Sequence, residues 1–196
     1  MIKRLFDLAL AGFWAIVTSP VMLVVATLIK LDSPGPIFYA PLAVGKNGKP
    51  FRMFRFRTMD VDKSPDLTPS ERLTRVGRFI RNYSLDHLPT LFNVLKDDMR
   101  VVGPRPMEPE AVDLDDPTWQ KILAVKPGMI SLAILKLGKR YNASPLAIKK
   151  RLEMEYVEQQ SFRFDLQMLL EGLGAHVAST GNVKARENLT LKQKAD

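Results

Sequence analysis

Three short stretches carry the residues of this chain that could do chemistry: Arg75-Val-Gly-Arg-Phe-Ile-Arg81, Ser84-Leu-Asp-His-Leu-Pro89 and Val102-Gly-Pro-Arg-Pro106. Together they supply a row of guanidiniums, one carboxylate and a rigid proline-flanked turn. An ionised carboxylate beside arginines and a phosphate can act as a nucleophile on phosphorus, forming an acyl phosphate. Asp86 is the candidate nucleophile. Arg81 and Arg105 are candidates to clamp phosphate oxygens through bidentate hydrogen bonds. Arg75 and Arg78 precede Arg81 at intervals of three, so all three share one helix face and are candidates for phosphate or headgroup contact. Such a stripe read alone is a solvated face, and Asp86 read alone is a polar residue in a first helical turn. Their neighbourhood is what points to phosphate chemistry. His87 follows directly and can exchange a proton near neutral pH or touch phosphate. His176 has no motif around it and is expected to be structural.

The elements that must position these groups can be sketched from pattern. Residues 72–82 fit a short helix. Ser84 reads as the N-cap of a second, with Asp86 in its first turn and Leu88, Leu91, Phe92 and Leu95 on its apolar face. The positive end of that helix dipole would favour the charged carboxylate and could receive a phosphate. Gly45-Lys-Asn-Gly48 carries the Asn-Gly signal of a tight hairpin. Residues 51–59 alternate Phe54 and Phe56 with Arg55 and Arg57, which predicts a half-buried strand. Residues 60–70 form a polar loop, residues 130–137 a further strand, and residues 145–159 and 162–173 two helices. From Asn182 the tail is polar and charged. Helices outnumber short strands, so the class is mostly α with a small β element (α+β).

The chain opens on a membrane signal. Leu8 to Ile29 holds 22 consecutive residues without a charge, and about 20 apolar residues span a bilayer core as a helix. Ser19-Pro20 interrupts the run, and proline kinks or breaks a helix. Lys3, Arg4 and Lys30 make both flanks basic, and positive charge favours the cytoplasmic side. The expectation is therefore a re-entrant helix hairpin that bends at Pro20 and returns. An ordinary span with a tolerated kink and, less favoured, a buried soluble helix are the alternatives. Asp32-Ser-Pro-Gly-Pro36 marks the exit. The organisation expected is residues 1–31 as the membrane helix, 32–181 as a catalytic domain at the membrane surface and 182–196 as a tail.

The 196 residues carry a formal net charge of +8, no cysteine and two histidines. The charge asks for an anionic partner. The absence of cysteine excludes disulfides and thiolate metal sites, and two histidines are too few for a histidine-built metal site. No glycine-rich nucleotide loop, dinucleotide fingerprint or zinc spacing is present.

Beyond the residues' own chemistry, the motifs resemble the bacterial sugar transferases, small monotopic polyprenol-phosphate phosphoglycosyl transferases. The resemblance covers roughly Lys3 to Leu170. It rests on Lys3-Arg-Leu-Phe-Asp7, Ser19-Pro20, Lys30-Leu-Asp-Ser-Pro-Gly-Pro36, Lys49-Pro-Phe-Arg-Met-Phe-Arg-Phe-Arg-Thr-Met59, Thr74-Arg-Val-Gly-Arg78, Ser84-Leu-Asp86, Leu91-Phe-Asn-Val-Leu95, Val102-Gly-Pro-Arg-Pro106 and Lys126-Pro-Gly128. The family implies a re-entrant membrane hairpin with a cytosolic domain at the headgroup plane, on the cytoplasmic face of the bacterial inner membrane. It also implies a Mg2+-dependent ping-pong reaction. A carboxylate attacks the β-phosphate of a UDP-sugar, UMP leaves, and the phosphosugar passes to polyprenol phosphate. By position Asp86 would be the nucleophile and would touch the metal, with Arg81 and Arg105 as phosphate binders. Three patches depart from the family pattern. Asp86-His87 stands where the family has Asp-Glu, Pro41-Leu-Ala43 where it has Gln-Glu-Arg, and Met129-Ile-Ser-Leu-Ala-Ile-Leu-Lys-Leu-Gly-Lys139 where it reads Ile-Thr-Gly-Trp-Ala-Gln-Val-Asn-Gly-Arg.

Two readings of function follow: an active transferase with altered dyad chemistry, or a weak or inactive paralogue serving as a partner subunit or lipid-carrier binder. A nucleic-acid module is a third, since aromatics and arginines interleave in residues 51–57. The membrane segment and the absence of a reader motif argue against it, so no nucleic-acid partner is expected. The sugar and the oligomeric state are not written in the motifs.

Overall fold

The computed structural model describes residues 2–172, apart from Pro65, together with Gly174. His176 and the 182–196 tail lie outside the described residues. The elements in chain order are α1 (Ile2–Asp32), β1 (Phe38–Tyr39), β2 (Leu42–Val44), β3 (Pro50–Arg52), β4 (Arg55–Phe56), α2 (Pro69–Arg72), α3 (Arg75–Asn82), α4 (Thr90–Leu95), β5 (Arg100–Val102), α5 (Pro117–Leu123), β6 (Gly128–Ile130), α6 (Leu132–Leu137) and α7 (Leu146–Gln159). A final helix, α8, covers 162–172. The α+β expectation holds in proportion, but the strands make three separate two-stranded ladders. β1 pairs with β4 and β2 with β3, both antiparallel, and β5 with β6 in parallel.

The Asn-Gly hairpin forms as read. Asn47 and Gly48 both take positive φ, 57° and 75°, and join β2 to β3. The strand expected over 51–59 does not run through. It breaks between β3 and β4 because side chains of α4 intercept its backbone. Asn93, fully buried, accepts from Phe54 N at 2.9 Å and donates to Arg52 O at 2.8 Å, and Thr90 donates to Phe54 O at 2.9 Å. The expected outward pair of arginines also separates. Arg57 is buried, with its guanidinium on the carbonyls of Ser33 and Pro34. The strand expected over 130–137 ends at Ile130 and becomes α6. Ser131 Oγ accepts from Ile134 N at 3.2 Å as its N-cap, ahead of a helix-favouring Leu-Ala-Ile-Leu-Lys-Leu run. The helix read over 72–82 is likewise two helices, with Thr74 leaving helical geometry to cap α3 through Gly77 N at 2.9 Å.

Helix α1 holds the body together. Its buried residues Asp7, Ala11, Met22, Val25 and Ile29 recur at spacings of three and four, with one longer step across its middle. Ala11 joins the main core with Met53, Leu91, Val94, Met99 and Tyr156. Met22, Val25 and Ile29 form a second core with Phe56 and Ile80. The rest of the helix is bare: only 17% of its most apolar 18-residue window is buried, and Ile16, Leu23 and Phe13 stand 75%, 70% and 59% exposed. A buried soluble helix is thereby excluded.

Pro20 does not split α1 into two helices. The missing proline donor would have bonded the carbonyl of Ile16, and Ser19 Oγ donates to that carbonyl at 2.7 Å instead. Both ends are tied to the same globular body. Arg4 donates to Val94 O and Leu95 O at 2.7 and 3.2 Å, closing the last turn of α4, and Lys3 pairs with Asp165. At the other end Asp32 accepts from Val76 N at 3.0 Å, in the first turn of α3.

Gly77 sets the seat of α3. A Cβ built there would lie 1.9 Å from Thr58 O, a backbone atom. Alanine is favoured over glycine in a helix by about 1 kcal/mol, whereas overpacking a tight contact costs about 1–3 kcal/mol. Gly77→Ala is therefore predicted to lower the thermal unfolding midpoint of the detergent-solubilised chain. A midpoint equal to or above wild type would contradict the close approach of α3 to Thr58.

Candidate active site

Asp86 reaches its place through a left-handed residue. Ser84 has φ 56° and ψ 24° and makes no capping bond. The N-cap expected of Ser84 is corrected here: the residue reverses the chain at the end of α3. Leu85–His87 then forms a single 3-10 turn, with Pro89 before the short α4. So Asp86 does not sit in the first turn of a long helix, and a helix dipole is not what polarises it. Its surroundings are cationic side chains instead.

Arg55, Arg81 and Arg105 come from β4, the last turn of α3 and the Pro104-Arg105-Pro106 turn, and converge on the Asp86-His87 step. Asp86 keeps 13% of its side-chain surface, and His87 Nε2 lies 3.6 Å from its Oδ2, too long for a hydrogen bond. Burial is the largest influence on His87 and pushes its pKa down to about 4. Asp86 opposes that shift, while Arg55, Arg105 and Arg81 reinforce it. The ring edge still has 37% of its surface open, which moderates the burial penalty, and the direction is what matters: His87 is a neutral imidazole at neutral pH. Three guanidiniums therefore face one carboxylate with no positive histidine to add. The local excess of positive charge asks for an anion of more than one charge.

Arg55 was not singled out in the sequence, where it looked like half of an alternating pair. Its Nε is buried without a partner, and its Nη2 touches only the Met53 sulfur at 3.6 Å. Burial and then Arg105 weigh against its charge, and Asp86 supports it. A buried guanidinium with unspent donors is costly unless something brings acceptors to it. Arg81 is anchored by donating from Nε to Thr58 Oγ1 at 3.0 Å. Arg105 lies over the ring of Tyr141 at 5.5 Å, and Lys149 over the same ring at 4.6 Å. Arg75 and Arg78 are not brought in: they stand exposed on α3 and line no part of the cleft.

The cleft beside this cluster has a volume of about 440 Å³. Arg55, Ser84, His87 and Arg105 line one part, and Lys139, Tyr141 and Asn142 another, over a floor that includes Met53 and Met99. Behind it Glu153 of α7 is 3% exposed, with neither carboxylate oxygen in hydrogen-bond geometry. Burial pushes its pKa up to about 7 against the opposing effect of Ser131 and Arg105. Lys139 closes one of the patches that depart from the family pattern, whereas Tyr141 and Glu153 had no motif around them and could be found only once the chain was folded.

A metal cage built by the protein is not present among the described residues, which contain no group of three or more His, Cys, Asp or Glu suited to one. Asp86 is the one carboxylate at the arginine cluster. That donor set suits Mg2+, which is commonly held by one or two carboxylates together with substrate phosphates.

The chain is similar to proteins of known kind. The family model described as bacterial sugar transferase matches residues 1–179. An uncharacterized sugar transferase, EpsL, of Bacillus subtilis is 39% identical over 172 residues, covering 86% of this chain and 84% of its own. The UDP-glucose:undecaprenyl-phosphate glucose-1-phosphate transferase of Klebsiella pneumoniae is 36% identical over 180 residues, 85% of this chain and 38% of its own. The UDP-N-acetylgalactosamine-undecaprenyl-phosphate N-acetylgalactosaminephosphotransferase of Aeromonas hydrophila is 35% identical over 189 residues, 89% of this chain and 45% of its own. The chain thus spans most of the first relative and less than half of the other two. With a family match over residues 1–179, the chain belongs to the bacterial sugar transferases.

Proposed function

We propose that the chain is a phosphoglycosyl transferase that moves a phosphosugar from a UDP-sugar to polyprenol phosphate, releasing UMP and initiating a bacterial glycan. The observation that carries this reading is the convergence of Arg55, Arg81 and Arg105 on the single carboxylate of Asp86. The two relatives whose names state a reaction use a UDP-sugar and undecaprenyl phosphate.

In the first step an Asp86 oxygen attacks the β-phosphorus. The bond from that phosphorus to the bridging oxygen breaks, and the electron pair leaves with UMP. In the second step an oxygen of polyprenol phosphate attacks the same phosphorus, and the bond to Asp86 breaks, restoring the carboxylate. Arg55, Arg81 and Arg105 hold the phosphate oxygens and the charge that shifts between them. Bound Mg2+, with Asp86 as its protein ligand, would neutralise part of the diphosphate charge. Neither step demands a strong acid or base. In each step one partner is the Asp86 carboxylate and the other a phosphate monoester, UMP leaving or polyprenol phosphate attacking, and with a second pKa near 6 the monoester is largely ionised at pH 7. This is the physical reason a neutral His87 can stand where the family has Glu: its ring N–H needs only to donate a hydrogen bond to a phosphate oxygen.

The membrane reading rests on α1. Both ends of α1 are bonded to one globular body, and a bend at Ser19-Pro20 would let its bare middle enter lipid and return on the same face. With basic residues at both flanks, that face is the cytoplasmic one, in the bacterial inner membrane. The body then lies at the headgroup layer, where a lipid-borne phosphate can reach the cleft.

Three outcomes check the proposal. Wild type should release UMP from one or more UDP-sugars when polyprenol phosphate and Mg2+ are supplied. Asp86→Asn should lose the rate by on the order of 10³-fold or more, and Arg55→Ala by about 10²–10³-fold as a lost phosphate donor. No release from wild type, with activity appearing in His87→Glu, would instead favour the inactive-paralogue reading. The His87 ring in the unliganded protein should titrate near pH 4 by NMR, well below its ordinary 6.5. Because the unfolded chain then binds the extra proton between those values, His87 should destabilise the fold as pH falls from 6.5 towards 4 and contribute nothing above 6.5. A midpoint near 6.5 would contradict the buried, arginine-ringed setting. Finally, the chain has no cysteine, so Leu5→Cys and Leu31→Cys, at the exposed ends of α1, can be labelled singly. An impermeant maleimide should reach both from the cytoplasmic side only, and opposite-side labelling would mean a simple span.

A further inference from the structure

A second cleft, of about 210 Å³, shares no lining residue with the cleft that His87 and Arg105 line. Lys3 of α1, Lys46 of the β2–β3 turn, Arg100 of β5 and Lys126 converge on it, with Tyr156 and Gln160 beside them. Four cations from four separate parts of the chain repel one another unless negative charge is supplied. The fold supplies some of it. Lys3 pairs with Asp165, Arg100 Nη1 lies 3.4 Å from Asp7, and Lys126 lies 2.5 Å from Asp97. Lys46 has no carboxylate partner among the described residues. Arg100 uses only Nη1, and at long range, so its fork keeps donors to give. The cleft is left with one uncompensated positive charge and several free N–H donors around a space that suits a tetrahedral anion.

Its height is set by α1. Lys3 stands five residues before the uncharged run that starts at Leu8, about 8 Å along a helix. The polar layer of a bilayer is about 5–8 Å thick on each side. If α1 inserts as proposed above, the cleft opens at the depth of lipid phosphates.

We propose that this second cleft is an anion site that takes a phosphoryl group, separate from the site of phosphosugar transfer. The phosphoryl group comes either from an anionic lipid headgroup or from free phosphate in solution. The full chain, placed in phosphatidylcholine nanodiscs, tests this by lysine acylation read residue by residue by mass spectrometry. One arm adds inorganic phosphate, and the other replaces part of the lipid with phosphatidylglycerol. Lys46 and Lys126 should be protected several-fold in at least one arm. Lys49, an exposed neighbour that lines neither cleft, should not be. Protection in the lipid arm alone assigns the headgroup, and protection in the phosphate arm assigns the free ion. Lys46→Glu should abolish the protection of Lys126 and leave UMP release unchanged, while Arg105→Ala should leave the protection intact. Equal protection of Lys49, protection in neither arm, protection of Lys126 that survives Lys46→Glu, or protection lost in Arg105→Ala would each overturn the proposal.

Discussion

Three guanidiniums held around one carboxylate form an unfinished arrangement, and the rest of the structure can be understood as what makes it tolerable. Arg105 and Arg81 both weigh against the charge of half-buried Arg55, so the cluster favours the arrival of an anion. The protein does not relax the cluster by letting Arg55 swing out to water. Asn93 and Thr90 grip the backbone at Arg52 and Phe54 and fix the strand end from which Arg55 projects. Thr58 holds Arg81, and two prolines hold Arg105. Each tether comes from a different element, so the cluster reports on the whole fold. The diphosphate of the proposed substrate would satisfy it.

The same elements connect the site to α1. Arg4, in the first turn of α1, closes the final carbonyls of α4, whose Thr90 and Asn93 clamp the Arg55 strand. Asp32, at the other end, accepts from the first turn of α3, whose last turn carries Arg81. Helix α1 and the helices that set the arginines are thus one bonded unit. Buried carboxylates such as Asp7, which faces Arg100 and Val101 N, show that α1 is fastened by polar contacts as well as by its apolar stripe.

Much of this was legible from the chain. The uncharged run, the Asn-Gly turn, the two helices after residue 145 and the proximity of Asp86, Arg81 and Arg105 are all local patterns or motif-bound pairs. What was not legible depended on distant partners. Ser84 has the residue type of an N-cap, but the turn into Pro89 forces it into left-handed geometry. Arg55 and Arg57 differ by two positions and look equivalent. Only the carbonyls of Ser33 and Pro34 make Arg57 a structural residue, and only the arrival of Arg105 and Asp86 makes Arg55 a site residue. The arginine stripe of α3 divides for the same reason, since Thr58 holds Arg81 near the Asp86-His87 step and no such bond draws Arg75 or Arg78 there among the described residues. Residues 130–137 have the apolar content of a strand, and a single hydroxyl at Ser131 starts a helix there instead.

The account stands or falls on Asp86 as the atom that bonds to phosphorus. The direct measurement is the intact mass of the chain after exposure to its UDP-sugar and Mg2+ without lipid acceptor, followed by peptide mapping at low pH to preserve an acyl phosphate. The account predicts a mass increase of one phosphosugar, placed on the peptide that contains Asp86 and discharged when polyprenol phosphate is added. UMP release with no adduct, or an adduct on any other residue, would contradict it.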